Sequence, residues 1–246
     1  GLKVILDRHR PGSEGQSSLW YTDKNSNDSK ASDPGYGYQC SEQRWIDDWK
    51  MLARHYLGNR TIIGADLHNE PHSKATWGNG VIGTDWRLAA ERAGNAILAV
   101  NPNWLIMVEG IENYNGDSYW WGGNLKGAGA HPVRLNIANR LVYSVHEYPA
   151  SVSNQPWFSA PNYPDNMSGV FESHWGYLRT GNIAPVWIGE FGTKMITTSD
   201  KQWLDAIIAY MGTTTAQGHH GVSWTFWCWN ENSVDTGGIL LADWTN

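Results

Sequence analysis

Two glutamates in this 246-residue chain stand directly behind short apolar runs. Residues 61–67 (TIIGADL) lead into His68-Asn69-Glu70-Pro71, and residues 185–189 (PVWIG) lead into Glu190-Phe191-Gly192. A pair of carboxyl groups is the minimum equipment for breaking a glycosidic bond: one protonates the leaving oxygen, the other attacks the anomeric carbon or activates water. Each glutamate closes a buried strand, where its surroundings can push two carboxyl groups to opposite protonation states. The pattern predicts Glu70 protonated near neutrality, Glu190 ionised and a bell-shaped pH profile on the acidic side of neutral; if the second carboxylate is a nucleophile, the two carboxyls lie about 5–5.5 Å apart.

Other polar residues follow the same rule of position. Residues 140–145 (RLVYSV) run into His146-Glu147-Tyr148, residues 2–6 (LKVIL) into Asp7-Arg8-His9, and residues 221–227 (GVSWTFW) end at Trp227. Asn69 can bond a sugar 2-hydroxyl, Tyr148 can donate to Glu190, and His9 and His146 can orient hydroxyls. Each has a plainer reading. A lone Asn-Glu-Pro is a turn, a lone histidine is a hydrogen-bonded core residue, and Asp7, Asp66 and Glu147 suit structural roles equally well. Trp120 and Trp121 could be core, but their place in an irregular stretch behind a strand favours sugar stacking. The Asn-x-Ser/Thr sequons at Asn27, Asn59 and Asn166 read as chance matches. His68 and His72 are four apart with Glu70 between them. A zinc-protease helix needs the glutamate directly after the first histidine, and Pro71 breaks the helix besides, so no metal is expected.

These residues need a scaffold that brings strand ends together. Apolar runs at residues 2–6, 61–67, 104–108, 140–145, 185–189 and 221–227 alternate with helical patterns at 41–56, 85–100 and 199–211. Ser41 and Asp85 read as helix caps. Such alternation predicts an α/β fold with a mostly parallel sheet, whose strand C-termini share one face. Residues 12–39 and 113–139 read as long loops, which in compact α/β domains are usually functional.

Bulk properties narrow the partners. Eighteen Lys+Arg against 24 Asp+Glu give a net charge of −6 without any basic block, so no nucleic acid is expected. No apolar run approaches the roughly 18 residues of a membrane helix. Sixteen Trp and 11 Tyr against 4 Phe favour aromatics with a polar handle, which serve both a core and a sugar-stacking surface. Cys40 and Cys228 allow at most one bridge.

The motifs LDRHRP, DLHNEP, WRLAAERAGNAI, NYNGDSYWWGGNL, NIAPVWIGEFGT and SWTFWCWN resemble glycoside hydrolase family 5, in particular its bacterial endo-β-1,4-glucanases. The resemblance covers nearly the whole chain. It implies a (β/α)8 TIM barrel, hydrolysis with retention, no cofactor, secretion, and a β-glucan polysaccharide as partner. It matches Glu70 to the acid/base, Glu190 to the nucleophile, and Asn69, His9, His146, Tyr148 and Trp227 to the surrounding site, with a cis peptide after Trp227. Residues 1–246 are expected to form a single catalytic domain running from the third to the eighth strand. The first two strands, an arginine they carry and the last helix lie outside it. Roughly 100 further residues are expected before Gly1, to supply the two absent strands with their helices and loops in a barrel whose minimum is ~250 residues. Mannan, xyloglucan and mixed-linkage glucan are alternative substrates, and a non-catalytic carbohydrate-binding scaffold is the alternative class.

Overall fold

The computed structural model describes residues 1–11, 16–22, 40–241 and 243–245. Most of the expected loop at 12–39 therefore lies outside the described residues. Contacts divide the chain into two compact units, Gly1–Ser144 and Val145–Asn246.

The first unit contains strands β1 (Val4–Asp7), β2 (Ile62–Asp66), β3 (Leu105–Glu109) and the start of β6 (Leu141–Glu147). All three pairings are parallel, with Asp7 opposite Asp66, Asp66 opposite Met107, and Glu109 opposite Ser144. Parallel registry places the polar strand ends side by side. Helix α1 (Glu42–His55) starts where Ser41 Oγ accepts the Arg44 amide at 3.1 Å, and it buries Trp45, Trp49 and Ala53. Helix α2 (Trp86–Val100) starts at Asp85, a fully buried carboxylate that also receives the amides of Gly78 and Gly80 at 3.0 and 2.9 Å.

Trp20, Trp45 and Trp86 form a core cluster with ring centroids 5.6–6.3 Å apart. Their use in place of phenylalanine has a visible cause. The indole N–H groups of Trp45 and Trp49 both donate to Leu67 O, at 2.9 and 3.1 Å, and that of Trp86 donates to Glu109 O at 2.9 Å. These carbonyls sit at strand ends where the ladder stops, so buried indoles satisfy acceptors that would otherwise be costly.

Strands β4 (Asn113–Tyr114) and β5 (Asp117–Ser118) form a small antiparallel hairpin inside the stretch expected to be loop. Its turn is Asn115-Gly116, with φ of 53° and 85°, the pairing that a two-residue hairpin favours. Two-residue strands are too short to show an alternation.

The second unit holds the end of β6, strands β7 (Val186–Phe191) and β8 (Ser223–Phe226) in parallel, and helix α5 (Thr198–Met211) with a Thr197/Asp200 capping box. It also contains helices α3 (Met167–Phe171) and α4 (Tyr177–Thr180), joined by a π-helical turn at Glu172–Gly176. In this run the buried Met167, Phe171, Trp175 and Leu178 recur at helical spacing. His146, Glu147 and Glu190 lie inside their strands rather than just behind them, because ladder bonds continue past the last apolar residue. Strand β8 is shorter than expected: Val222 N already donates to Met211 O at 2.9 Å, outside any ladder. Among the described residues no helix is long and apolar enough to cross a membrane. Cys40 and Cys228 are both buried and free.

Candidate active site

In the first unit the site grows from the turn behind β2. Asn69 N donates to Arg8 O at 3.2 Å, tying the ends of β1 and β2 together. Glu70 has φ of 52°, a left-handed conformation that costs a non-glycine residue about 1–3 kcal/mol and needs firm surroundings. Its amide donates to Glu109 Oε2 at 2.7 Å, and Gln16 Nε2 donates to its carboxylate at 2.9 Å. Gly122 closes over this corner with φ of 70°; a Cβ there would overlap Glu109 Oε2 and reach within 3.3 Å of Glu70 Cα. The carboxylates of Asp7, Asp66 and Glu109 each bring an oxygen within 4.8 Å of the others. His9 Nδ1 lies 2.9 Å from Asp7 Oδ2. Asn69 is buried, and its Nδ2 donor has no partner among the described residues. Such a donor is costly unless something fills it.

His68 is fully buried between Ser17 O, 3.1 Å from Nε2, and the Arg8 guanidinium, 3.3 Å from Nδ1. Nε2 therefore carries the proton and Nδ1 accepts. Burial, and next the Arg8 charge, hold its pKa well below the ordinary 6.5. The unfolded chain then binds a proton that the folded one refuses, so stability falls as pH drops below about 6.5. His68→Gln should flatten that fall by up to ~1.4 kcal/mol per pH unit, the limit for one linked proton. Urea unfolding between pH 7 and pH 5 measures it; equal slopes for both proteins would refute the assignment.

In the second unit Tyr148 Oη donates to Glu190 Oε2 at 2.6 Å, and His146 Nδ1 lies 3.4 Å from the same oxygen. All three side chains are buried. Two polar groups on one carboxylate oxygen fix its orientation. Trp227 N donates to Phe191 O at 2.8 Å, and Gly192 is needed because any Cβ would collide with Trp227 O. The peptide after Trp227 is cis. Glu147 takes the structural reading: it is fully buried and accepts the Trp175 indole N–H at 2.7 Å.

The tryptophan pair divides. Trp120 is buried at 6 % exposure, whereas Trp121 is 41 % exposed and lies flat on His72, with ring centroids 3.9 Å apart and planes 9° from parallel. Sequence reasoning passed over three residues beside Glu70. Glu109 follows the apolar run 104–108 as Glu190 follows 185–189, so the same rule of position could have found it. Gln16 sits in a polar loop that carries no signal, and His72 entered only as a rejected metal ligand.

The sequence pattern of the family "Cellulase (glycosyl hydrolase family 5)" matches residues 1–233, which include both glutamates and every polar strand end described above. The chain belongs to glycosyl hydrolase family 5. It is 51 % identical over 250 residues to an endoglucanase of Paenibacillus polymyxa, with all of this chain and 58 % of that protein covered. It is 40 % identical to the major extracellular endoglucanase of Xanthomonas campestris pv. campestris, covering 47 % of it. The chain thus spans about half the length of these relatives. The catalytic domain of the Xanthomonas enzyme superposes with a TM-score of 0.83 at 40 % identity, over 99 % of this chain and 66 % of that one. A cellotetraose complex of an endocellulase from Pyrococcus horikoshii superposes with a TM-score of 0.85 at 38 % identity, over 100 % and 66 %. The family 5 fold is therefore present here as part of a (β/α)8 barrel.

Proposed function

We propose that residues 1–246 form the catalytic domain, or the greater part of one, of a secreted retaining endo-β-1,4-glucanase, with Glu190 as nucleophile and Glu70 as acid/base. The observation that carries the reading is the Tyr148 hydroxyl on Glu190 Oε2. The donor fixes the carboxylate, as a nucleophile aimed at one anomeric carbon requires. As the glycosyl–enzyme bond forms, the bond to the leaving oxygen breaks and Glu70 supplies its proton. Water then gives a proton back to Glu70 and displaces Glu190, restoring the starting configuration. The unsatisfied Asn69 Nδ2 suits a sugar 2-hydroxyl, a contact that strengthens in such transition states. His9, His146 and Trp227 complete the sugar-binding set, and Trp121 offers an open aromatic face. Secretion is supported by the Xanthomonas relative, and the cellotetraose-bound Pyrococcus enzyme supports a β-1,4-glucan as substrate.

The full-length protein assayed on carboxymethyl-cellulose, mixed-linkage glucan, xyloglucan and mannan side by side tests the substrate. Carboxymethyl-cellulose should give a rapid fall in viscosity with few new reducing ends, the mark of internal cuts. Faster cleavage of mannan would overturn the glucanase reading.

A further inference from the structure

His72 belongs to neither the family motif read from sequence nor the mechanism above, yet two of its contacts converge on the proposed acid/base. Its Nδ1 lies 2.6 Å from Glu70 O. A carbonyl can only accept, so Nδ1 carries the hydrogen and donates it. The flat face of the same imidazole lies against the Trp121 indole at 3.9 Å. The ring itself is immobilised: His72 is buried, its amide donates to Ser18 O at 3.3 Å, and its carbonyl accepts from Ala75 N at 2.9 Å. One side chain thus grips the backbone of a strained glutamate and the underside of an exposed tryptophan.

We propose that His72 is a positioning residue that locks the Trp121 platform to the acid/base, so that the sugar leaving from Glu70 is held by a plane set from Glu70's own backbone. The proposal rests on the reading of Glu70 as acid/base. Trp121 immediately precedes Gly122, the residue packed against Glu70 Cα. A ring on the segment packed against the proton donor would stack the sugar on the leaving-group side. His72 covers one face of Trp121, which is still 41 % exposed among the described residues. At this left-handed turn the imidazole N–H holds the Glu70 carbonyl. Displacing either contact should move acid and platform independently, at the cost of alignment in the reactive complex.

The test uses the full-length protein and two substrates. Cellotetraose places sugars on the leaving-group side, whereas dinitrophenyl β-cellobioside places an activated aryl group there. His72→Ala should lower kcat/KM on cellotetraose about five- to tenfold, the scale of one lost aromatic contact, and change dinitrophenyl cellobioside less than about twofold. Trp121→Ala should do the same, and the double variant should be no worse than the poorer single one. His72→Phe keeps a flat ring and should spare KM while lowering kcat; His72→Asn keeps a donor and should spare kcat while raising KM. These two variants carry the test should His72→Ala fail to fold. Equal losses on both substrates would reduce His72 to a structural residue, and multiplying losses in the double variant or unchanged cellotetraose kinetics would also overturn the proposal. Failure of the acid assignment shows separately, in Glu70→Ala, and leaves the coupling of His72 to Trp121 measurable.

Discussion

Glu190→Ala is expected to stop turnover of every glycoside, activated or not, with a loss on the order of 10⁵-fold in kcat/KM. The size follows from the role. An activated leaving group removes the need for a proton, but nothing on the substrate replaces a nucleophile. Neither described neighbour is a carboxylate in its place: Tyr148 donates to Glu190, and His146 lies 3.4 Å from the same oxygen. With the carboxylate gone, both would face a gap the width of a carboxyl group. A small anion such as azide could enter that gap and attack the same carbon, restoring turnover with inverted configuration in the glycosyl azide formed. Dinitrophenyl cellobioside hydrolysed by the variant within about a hundredfold of the parent would rule out Glu190 as nucleophile.

Much of this arrangement is legible in the chain because it depends on where apolar runs stop. Strands β2, β3, β6 and β7 are five to seven residues of mostly apolar sequence, and each delivers an acid or imidazole at or near its end. Ser41 and Asp85 cap helices as their types and positions predict, since a cap needs only a short oxygen side chain one residue ahead of a periodic segment. The tryptophan excess is legible as a number but not as a layout. Trp45 and Trp49 reach Leu67 O across more than fifteen residues, and nothing local marks them as the groups that finish a strand end rather than stack on sugar.

What sequence could not reach is the support beneath the glutamate. Gln16, Glu109 and His72 touch Glu70 from three different segments: a polar loop, a neighbouring strand, and the far side of the turn. Their types are unremarkable, and only the left-handed bend at Glu70 brings them to bear on one residue. That bend is itself invisible beforehand, because glutamate rarely adopts φ near 52°. Gly122 shows the complementary case. Its neighbours in the run Trp121-Gly122-Gly123 suggest a loose turn, yet any side chain at Gly122 would strike Glu109 and crowd Glu70.

Glu70→Ala should separate the two halves of the reaction. On cellotetraose the departing oxygen is a poor leaving group, and losing its proton donor should lower kcat/KM by about 10²–10⁴-fold, the usual worth of general acid catalysis. On dinitrophenyl cellobioside the phenolate leaves unaided, so the first step should survive nearly intact and appear as a rapid burst of dinitrophenolate equal to the enzyme present. The second step should then stall, because water must surrender a proton to the base that is missing. Azide needs no such base; it should relieve the stall and yield the glycosyl azide with retained configuration, opposite to the product of Glu190→Ala. The same structure explains why the loss should lie in chemistry rather than folding. The Glu70 side chain accepts from Gln16 Nε2, while the turn is held through the backbone amide on Glu109 and the carbonyl on His72, both of which alanine keeps. Alanine tolerates φ near 52° no better than glutamate, so Tm should move by only a few degrees, about 1 kcal/mol at most. Equal losses on cellotetraose and the dinitrophenyl substrate, with no burst, would mean that Glu70 does not deliver the proton.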